Sequence, residues 1–190
     1  MGYKALDSAN ITTGYAKKLF ALGYRAFGFY LRADRAPQAM LHELHTAGLK
    51  LFSIWERGHP TSAAYFTKSQ GAQDGHLAAA YAHEIGQPAG TTISPCVDYD
   101  SNPDDVKDYL IAFHDVIKAA GYKSLPYGNG DTLKWAVDSG YAYGGFLSQS
   151  KGFSGYSDFL PHAKIVQGST ATVLKFDVDY DTVVDESVCW

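Results

Sequence analysis

Residues 90–128 read GTTISPCVDYDSNPDDVKDYLIAFHDVIKAAGYKSLPYG and contain the clearest strand, helix and strand succession of the chain. Asn102 and Pro103 mark a helix start, because Asn caps free backbone N–H groups and Pro suits the first helical position. Gly121 marks the helix end, since Gly readily adopts the left-handed conformation that follows a last helical turn. Apolar side chains repeat between these limits at helical spacing, at Val106, Tyr109, Leu110, Phe113 and Ile117. The stretch therefore predicts a helix between two strands.

The same succession of an amphipathic segment, a Gly and a short β-rich run recurs along the whole chain. Eight β-rich runs are present, at residues 3–7, 26–32, 50–56, 92–100, 123–128, 144–150, 164–168 and 174–179. Eight strands that alternate with helices are typical of an α/β fold of the (β/α)8 TIM-like barrel type. The chain is short for this fold, so we expect a compact barrel with abbreviated helices in its C-terminal half. A doubly wound open sheet is the competing architecture, but the Gly-rich phosphate loop of its nucleotide-binding version is absent from the sequence.

Length and charge restrict the function further. A length of 190 residues favours a single domain over residues 1–190, which we expect to be a monomer. The net charge of -4 argues against nucleic-acid binding, which usually requires a basic face. The sequence contains no run of about 18 apolar residues, so we predict no membrane insertion. The first residues lack the pattern of a signal peptide.

Acidic side chains occur at the ends of three predicted strands. Because side chains of a strand alternate between its faces, Asp98 and Asp100 share one face while Val97 and Tyr99 share the other. In a barrel the apolar set would pack against the helices, and the acidic set would point into the mouth, where barrel active sites lie.

The last strand and the first strand repeat this arrangement. Asp177, Asp179 and Asp181 form the polar face of the last predicted strand, and Asp7 ends the first. We expect these carboxylates to meet at the mouth of the barrel.

The second and third predicted strands add further candidates. Tyr30 and Arg32 share a face that would lie near the same mouth, where Arg32 could pair with a carboxylate. Glu56 ends the third strand beside Trp55, and the pattern does not decide which of the two points inward.

Such a set of carboxylates suits acid–base chemistry better than metal binding. Carboxyl groups held together raise each other's pKa, and a raised pKa is what a general acid requires. Carboxyl separations of about 5–5.5 Å or about 6.5–9.5 Å would give retention or inversion in glycoside hydrolysis, and the sequence leaves both open. The run from Asp177 to Asp181 imitates the start of an EF-hand loop, but Thr182 and Val188 stand where Gly and Glu are required. We therefore predict neither a metal nor a cofactor.

Several motifs resemble a known family. The stretches LDSAN, AGLKLFSIWE, GQPAGTTISPCVDYD, GYKSLPYGNG and FDVDYD occur in the order found in the glycoside-hydrolase-like domain family once classed as domain of unknown function 1906. That family is related to the family 25 lysozymes, which cleave the bond after N-acetylmuramic acid in peptidoglycan. The resemblance extends over nearly the whole chain and implies the same barrel fold.

The resemblance also implies roles for particular residues. In family 25 lysozymes an Asp ends the first strand, an Asp-x-Glu ends the fourth, and an Asp lies on the last. The matching positions are Asp7, Asp98 with Asp100, and Asp177. Asp100 replaces the glutamate general acid and is one methylene shorter, so the acid is either Asp100 or Glu56. Asp98 would stabilise the developing positive charge or orient the N-acetyl group of the substrate.

The function implied is that of a muramidase-like glycoside hydrolase acting on the glycan strands of peptidoglycan. The side chains that we expect to line its sugar cleft are Tyr30, Arg32, Trp55, Tyr99, Tyr127, Gln167 and Asp179. Made in the cytoplasm, the protein would act in the periplasm or on the cell wall as a phage endolysin released through a holin or as an exported antibacterial effector. An effector would have an immunity protein as a partner. The alternative is a catalytically silent barrel that binds cell-wall glycan or a protein.

Overall fold

The computed structural model describes residues 2–32, 37–58 and 60–190. The strands in these ranges are β1 (Tyr3–Ser8), β2 (Ala26–Tyr30), β3 (Lys50–Trp55), β4 (Thr92–Pro95), β5 (Lys123–Ser124), β6 (Tyr127–Gly128), β7 (Phe146–Leu147), β8 (Ile165–Val173) and β9 (Phe176–Val183). The α-helices are α1 (Ala16–Ala21), α2 (Gln38–Thr46), α3 (Lys68–Glu84), α4 (Pro103–Ala119), α5 (Gly130–Asp138) and α6 (Tyr156–Phe159). Short 3₁₀ helices lie at Ala63–Tyr65, Leu160–His162 and Glu186–Val188. Across the described ranges, no helix has both the length and the apolar character needed to cross a membrane.

The strands form one curled sheet whose ends meet. Their order is β5-β4-β3-β2-β1-β9-β8-β7-β6. A parallel bridge joins Cys96, just after β4, to Tyr127 in β6. The amide of Leu125 also donates to the carbonyl of Ile93, so residues 123–128 form one interrupted strand of the barrel wall. The predicted TIM-like barrel with outer helices is confirmed.

The helices follow the predicted pattern. Helix α4 begins at Pro103, and the side chain of Asn102 accepts a hydrogen bond from the amide of Asp104, as expected for a capping residue. Helices α3 and α4 have 17 residues each, whereas α5 has nine and α6 has four. Helices α5 and α6 are therefore short, as predicted, but α1 and α2 in the N-terminal half are also short, with six and nine residues.

The last predicted strand is wrong in its limits and in its direction. Strand β9 begins at Phe176 and runs antiparallel to both β8 and β1, whereas the other pairings are parallel. Leu174 and Lys175 adopt positive φ angles of 50° and 76° and form the turn between β8 and β9. A hairpin turn of this kind replaces the crossover that a parallel strand would need. The turn lacks the Asn-Gly or Asp-Gly pair that signals such a hairpin, so the hairpin could not be predicted from the sequence.

Most strand side chains divide between two apolar cores, and Leu147 of β7 belongs to a third, smaller cluster. One core lies between the sheet and the helices and includes Leu6, Phe27 and Trp55. The other fills the interior of the barrel and is formed by Ala5, Ala26, Phe52, Ile54, Cys96, Leu125, Tyr127, Phe146, Ile165, Val183 and Val188. Because this second core occupies the lower part of the barrel, a pocket forms above it at the mouth.

Helices α3 and α4 pack closely because α3 carries glycine at the contact. A Cβ atom built on Gly71 would lie 2.3 Å from the carbonyl oxygen of Tyr109, so only Gly allows this approach of the two backbones. Asp74, one turn further along α3, is completely buried in the same contact. The contact thus combines a close backbone approach with a buried carboxylate.

The carboxylate of Asp74 joins α3 to α4 and to the loop that precedes α3. It accepts hydrogen bonds from the hydroxyl groups of Tyr65 at 2.7 Å and Tyr109 at 2.8 Å, and from the amide of Gln70 at 2.8 Å. The same loop carries Pro60, whose carbonyl accepts a hydrogen bond of 2.9 Å from the amide of Asp98. The Asp74 network therefore supports the loop against which Asp98 is placed.

Candidate active site

A pocket of about 160 Å³ opens at the barrel mouth, at the carboxyl ends of the parallel strands. Its lining residues are Asp7, Tyr30, Ile54, Glu56, Cys96, Asp98, Tyr127, Phe146, Gln149, Gln167 and Asp179. The apolar members belong to the interior core and form the floor. Four carboxylic side chains thus meet in one pocket, which is where barrel enzymes place their chemistry.

Asp7 lies at the base of this pocket. Its Cα pairs with Gly28 of β2, and a Cβ at Gly28 would lie 2.6 Å from the Cβ of Asp7 and 2.4 Å from the ring of Phe52. The absence of a side chain at Gly28 therefore leaves room for Asp7 inside the barrel. Burial, reinforced by the charge of Asp179, raises the pKa of Asp7 to about 7.

Asp179 lies opposite Asp7 on β9 and is held by hydrogen bonds from β8. Its carboxylate accepts from the hydroxyl of Thr170 at 2.7 Å and from the amide of Gln167 at 3.3 Å. Residues three apart in a regular strand point to opposite faces. A register shift in β8 between Gln167 and Thr170 brings both side chains to Asp179. The side-chain carbonyl of Gln167 accepts a hydrogen bond of 2.8 Å from the hydroxyl of Tyr127. This bond fixes the orientation of the Gln167 side-chain amide.

Glu56 and Asp98 lie on the other side of the pocket, where Glu56 is half-buried and Asp98 is exposed at the rim. Burial and then the charge of Asp98 raise the pKa of Glu56, while a hydrogen bond with Tyr30 and the charge of Arg32 oppose the rise. Burial and then the charge of Asp179 raise the pKa of Asp98. A carboxyl group whose pKa is raised holds its proton closer to neutral pH, as a general acid must.

Asp181 lies directly below the pocket. It is only 4% exposed. Burial, and then the charge of Asp7, raise the pKa of Asp181 well above its ordinary value. It shares the alternation of Asp177 and Asp179, so the sequence pattern indicated its face but not its place under Asp7.

The structure brings seven of the predicted site residues to this region. Those that line the pocket are Asp7, Tyr30, Glu56, Asp98, Tyr127, Gln167 and Asp179. Arg32 follows β2 and acts on Glu56 through its charge. Glu56 rather than Trp55 points inward, because Ile54, two residues before Glu56, belongs to the interior core.

The predictions for Trp55 and Tyr99 as cleft residues are wrong. Trp55 is 1% exposed and packs under α3, with its ring centre 6.3 Å from that of Tyr81. Tyr99 stacks on Phe66 at 5.8 Å and packs against the outer core. Both face the helices because they alternate with the inward-pointing acids.

Of the two candidates for the acid, Asp100 does not line the pocket, whereas Glu56 does. Strand β4 ends at Pro95, so the alternation no longer holds at Asp100. Its carboxylate accepts hydrogen bonds from Asn129 at 2.7 Å and from the amide and hydroxyl of Ser154 at 2.8 and 3.1 Å. Although burial acts to raise the pKa of Asp100, these hydrogen bonds lower it overall, which is the opposite of what a general acid requires.

Asp177 lies outside the pocket as well. It lies in β9 between the hairpin turn and Asp179, which is the first residue of β9 that pairs with β1. Its exposed carboxylate accepts from the hydroxyl of Thr172 at 3.3 Å, and its carbonyl accepts from the hydroxyl of Ser8 at 2.7 Å. The antiparallel direction of β9 gives to Asp179 the place that the family resemblance implied for Asp177.

Replacing Asp100 by Asn should leave any glycan cleavage within about threefold of wild type and lower the free energy of unfolding by about 1 kcal/mol. The loss should shrink as the pH falls through the lowered pKa of Asp100, since a carboxylate with a depressed pKa stabilises the fold only while it is ionised. Urea unfolding of both proteins at several pH values measures this. A loss of cleavage with unchanged stability would return Asp100 to the role of acid.

Sequence reasoning missed several pocket residues. Gln149 lies at the end of the sixth predicted strand, and Ile54, Cys96 and Phe146 form the floor. Alternation from Glu56 and Asp98 could have identified Ile54 and Cys96, but nothing local in the sequence marked Gln149 or Phe146.

The chemistry that this arrangement supports is proton transfer and the stabilisation of positive charge. Lys and Arg are absent from the described lining, so the carboxylates create a negative field in the pocket. Within residues 2–32, 37–58 and 60–190, no group of three or more His, Cys, Asp or Glu side chains has an arrangement that could hold a metal ion.

Comparison with known protein families gives one match over most of the chain. A family model described as Rv2525c-like, glycoside hydrolase-like domain matches residues 17–187. The uncharacterized protein YbfG of Bacillus subtilis is 36% identical over 127 residues, which cover 61% of this chain. The matched region spans only 17% of YbfG.

Solved structures share the fold at low sequence identity. The Tat-secreted protein Rv2525c of Mycobacterium tuberculosis, in complex with L-tartrate, has a TM-score of 0.82 at 20% identity, with 100% of both chains covered. The autolysin LytC of Streptococcus pneumoniae, in complex with a synthetic peptidoglycan ligand, has a TM-score of 0.67 at 12% identity, with 95% of this chain and 46% of LytC covered. The spore cortex lytic enzyme SleM of Clostridium perfringens has a TM-score of 0.64 at 9% identity, with 96% and 67% covered.

Proposed function

Because this chain belongs to the Rv2525c-like glycoside hydrolase-like domain family, we propose that it is a glycoside hydrolase that cleaves the glycan strands of bacterial peptidoglycan. The observation that carries the proposal is the meeting of Glu56 and Asp98 with Asp7 and Asp179 in one pocket at the barrel mouth. Glycoside hydrolysis commonly uses two carboxyl groups beside the scissile bond, one of them a protonated acid.

In this proposal Glu56 is the general acid. Its raised pKa keeps it protonated to a higher pH than an ordinary glutamate, and it donates this proton to the oxygen of the leaving sugar. Asp98, exposed at the rim, stabilises the positive charge that develops on the sugar or orients its N-acetyl group. Asp7 and Asp179 set the charge at the base of the pocket.

The substrate class is supported by relatives of the same fold and by the size of the pocket. LytC is known in complex with a synthetic peptidoglycan ligand, and SleM is a spore cortex lytic enzyme. The pocket of about 160 Å³ is smaller than the 300–1,000 Å³ typical of pockets that enclose a whole ligand. We therefore expect one sugar or its acetamido group to enter the pocket, while the rest of the strand lies along the open mouth.

The test is digestion of purified peptidoglycan, with products analysed by mass spectrometry. We expect new reducing-end N-acetylmuramic acid from the wild-type protein and at least about 100-fold less from Asp98→Asn. Asp108→Asn is the matched control, because Asp108 is an exposed carboxylate on α4 that does not line the pocket.

Each other result has a defined meaning. New N-acetylglucosamine ends would keep the hydrolase proposal and change the bond that is cleaved. If wild type gave no products from several wall types, the hydrolase proposal would fail. If wild type and Asp98→Asn nevertheless bound insoluble peptidoglycan equally well, a catalytically silent, glycan-binding barrel would be the better description.

The biological setting is a finer part of the proposal. A phage endolysin would reach the wall through a holin, whereas an exported antibacterial effector would be paired with an immunity protein. Expression with and without a periplasmic targeting signal, followed by culture turbidity, tests for action on the wall from the periplasmic side. Lysis in the periplasm alone is the result expected of either role, and lysis without targeting or holin would contradict both.

A further inference from the structure

Two buried carboxyl groups face each other beneath the pocket. Asp7 is 2% exposed and Asp181 is 4% exposed. Strand β9 pairs Asp179 with Asp7 and Asp181 with Ala5, so Asp181 is the diagonal neighbour of Asp7, over the small side chain of Ala5. The charge of Asp7 acts on Asp181, so the two carboxyl groups lie within electrostatic reach of each other.

The two groups have few other partners. One oxygen of Asp7 and both oxygens of Asp181 are buried without a hydrogen-bond donor among the described residues. Two ionised carboxylates cannot remain side by side in such a place, because burial and mutual repulsion both disfavour the charged form. A single proton between them removes one charge and supplies the missing donor.

Asp181 is the member better suited to hold this proton. Gln167 offers a hydrogen bond to Asp7 and thereby favours the ionised form of Asp7. No donor among the described residues reaches either oxygen of Asp181, and burial and the charge of Asp7 both favour its protonated form. The asymmetry places the proton on Asp181 and the negative charge on Asp7, which lines the pocket.

We propose that Asp181 is a positioning residue that remains protonated beneath the pocket and donates its proton in a hydrogen bond to Asp7. It fixes the rotamer of Asp7 and limits the charge at the base of the pocket to that of one carboxylate. The substrate never touches Asp181, which acts through Asp7. The role of Asp181 in catalysis rests on the proposed function, whereas the protonation of Asp181 does not depend on that function.

Other titratable groups face the pair from neighbouring strands. Asp179 on β9 and Glu56 after β3 act on Asp7 by repulsion. Tyr30 on β2, Cys96 after β4 and Tyr127 on β6 also interact electrostatically with Asp7, and burial raises the pKa of all three. These three groups therefore remain neutral over the pH range in which the pair titrates.

Replacement of Asp181 by Asn tests this arrangement through the pH dependence of stability. In wild type the raised pKa values mean that the folded chain binds more protons than the unfolded chain above about pH 4, so stability is lost as the pH rises. The Asn amide supplies the same donor to Asp7 without a titrating proton. Relative to wild type, the unfolding equilibrium constant of Asp181→Asn should therefore fall as the pH rises from 5 to 9, by up to about tenfold per pH unit.

The second measurement observes the proton directly in the wild-type protein. Infrared difference spectra at pH 7 should show that Asp181→Asn removes a protonated carboxylic acid band that Glu56→Gln and Asp108→Asn leave in place. If Asp181→Asn does not fold, the wild-type band at pH 7 still decides, with Asp7→Asn as the reciprocal variant expected to shift it. Absence of the band from wild type, or parallel stability curves for wild type and Asp181→Asn, would overturn the proposal.

A kinetic measurement then separates this proposal from the proposed function. If the protein cleaves peptidoglycan, Asp181→Asn should change the shape of the pH profile of kcat more than its maximum. A uniform loss at every pH would contradict the positioning role. If no cleavage is found for wild type, the stability and infrared results still decide whether Asp181 carries the proton.

Discussion

Replacing Glu56 by Gln should lower the rate of glycan cleavage by about 10²- to 10⁴-fold, because Gln cannot donate the proton that the leaving oxygen needs. Wild-type activity should fall as the pH rises above the raised pKa of Glu56, since the acid must be protonated. It should also fall as the pH drops below the pKa of Asp98, since that carboxylate must be ionised. The pH profile of the residual activity of Glu56→Gln should lack the fall at high pH. Release of reducing ends, measured against pH, provides both results.

The comparison with Asp100→Asn makes this test decisive for the identity of the acid. Glu56→Gln should bind insoluble peptidoglycan as wild type does, because it preserves shape and the hydrogen bond to Tyr30, and should unfold at a similar urea concentration. Asp100→Asn should show the reverse pattern, with cleavage kept and stability reduced. Full activity in Glu56→Gln would reject the proposed mechanism, and equal losses in both variants would point to a structural effect at the mouth.

Replacing Asp74 by Ala should lower the free energy of unfolding by about 3 kcal/mol, the largest effect that we expect from a residue outside the pocket. The change removes the acceptor of three hydrogen bonds and leaves the hydroxyl of Tyr109 without a partner in the contact between α3 and α4. Unsatisfied buried donors cost more than the net gain of forming the bonds, since water cannot replace the lost acceptor. Urea unfolding followed by circular dichroism measures the loss.

Asp74→Asn is the matched control. Its carbonyl oxygen can still accept from Tyr65 and Tyr109, and Gln70 can rotate its amide to meet the new NH₂ group, so we expect a loss of about 1 kcal/mol. Because the same loop carries the carbonyl of Pro60 that holds the amide of Asp98, Asp74→Ala should also reduce cleavage more than Asp74→Asn does. Equal stability of the two variants would show that the network contributes little.

The sequence by itself determined the barrel and the acidic character of its mouth. The positions of Gly and Pro identified the ends of strands and helices, because the conformations that these residues favour depend on the local backbone alone. Alternation along β1 placed Asp7 on the inward face, because a regular strand imposes a period of two on its side chains, and Asp98 lines the pocket although β4 ends at Pro95. These inferences hold wherever the chain remains locally regular.

Only the tertiary structure decided which carboxylates meet. Asp100 lies past the end of β4, where its partners on Asn129 and Ser154 come from segments 29 and 54 residues away. Asp179 rather than Asp177 faces Asp7 because β9 returns antiparallel through a turn without a sequence signal, and a register shift in β8 supplies two hydrogen bonds to it. The pairing of Asp7 with Asp181 and the inward position of Glu56 depend in the same way on strands distant in sequence. Local residue patterns fix the face of a strand, but the distance between two charges, and hence their pKa values, is set only when separate strands are brought into register.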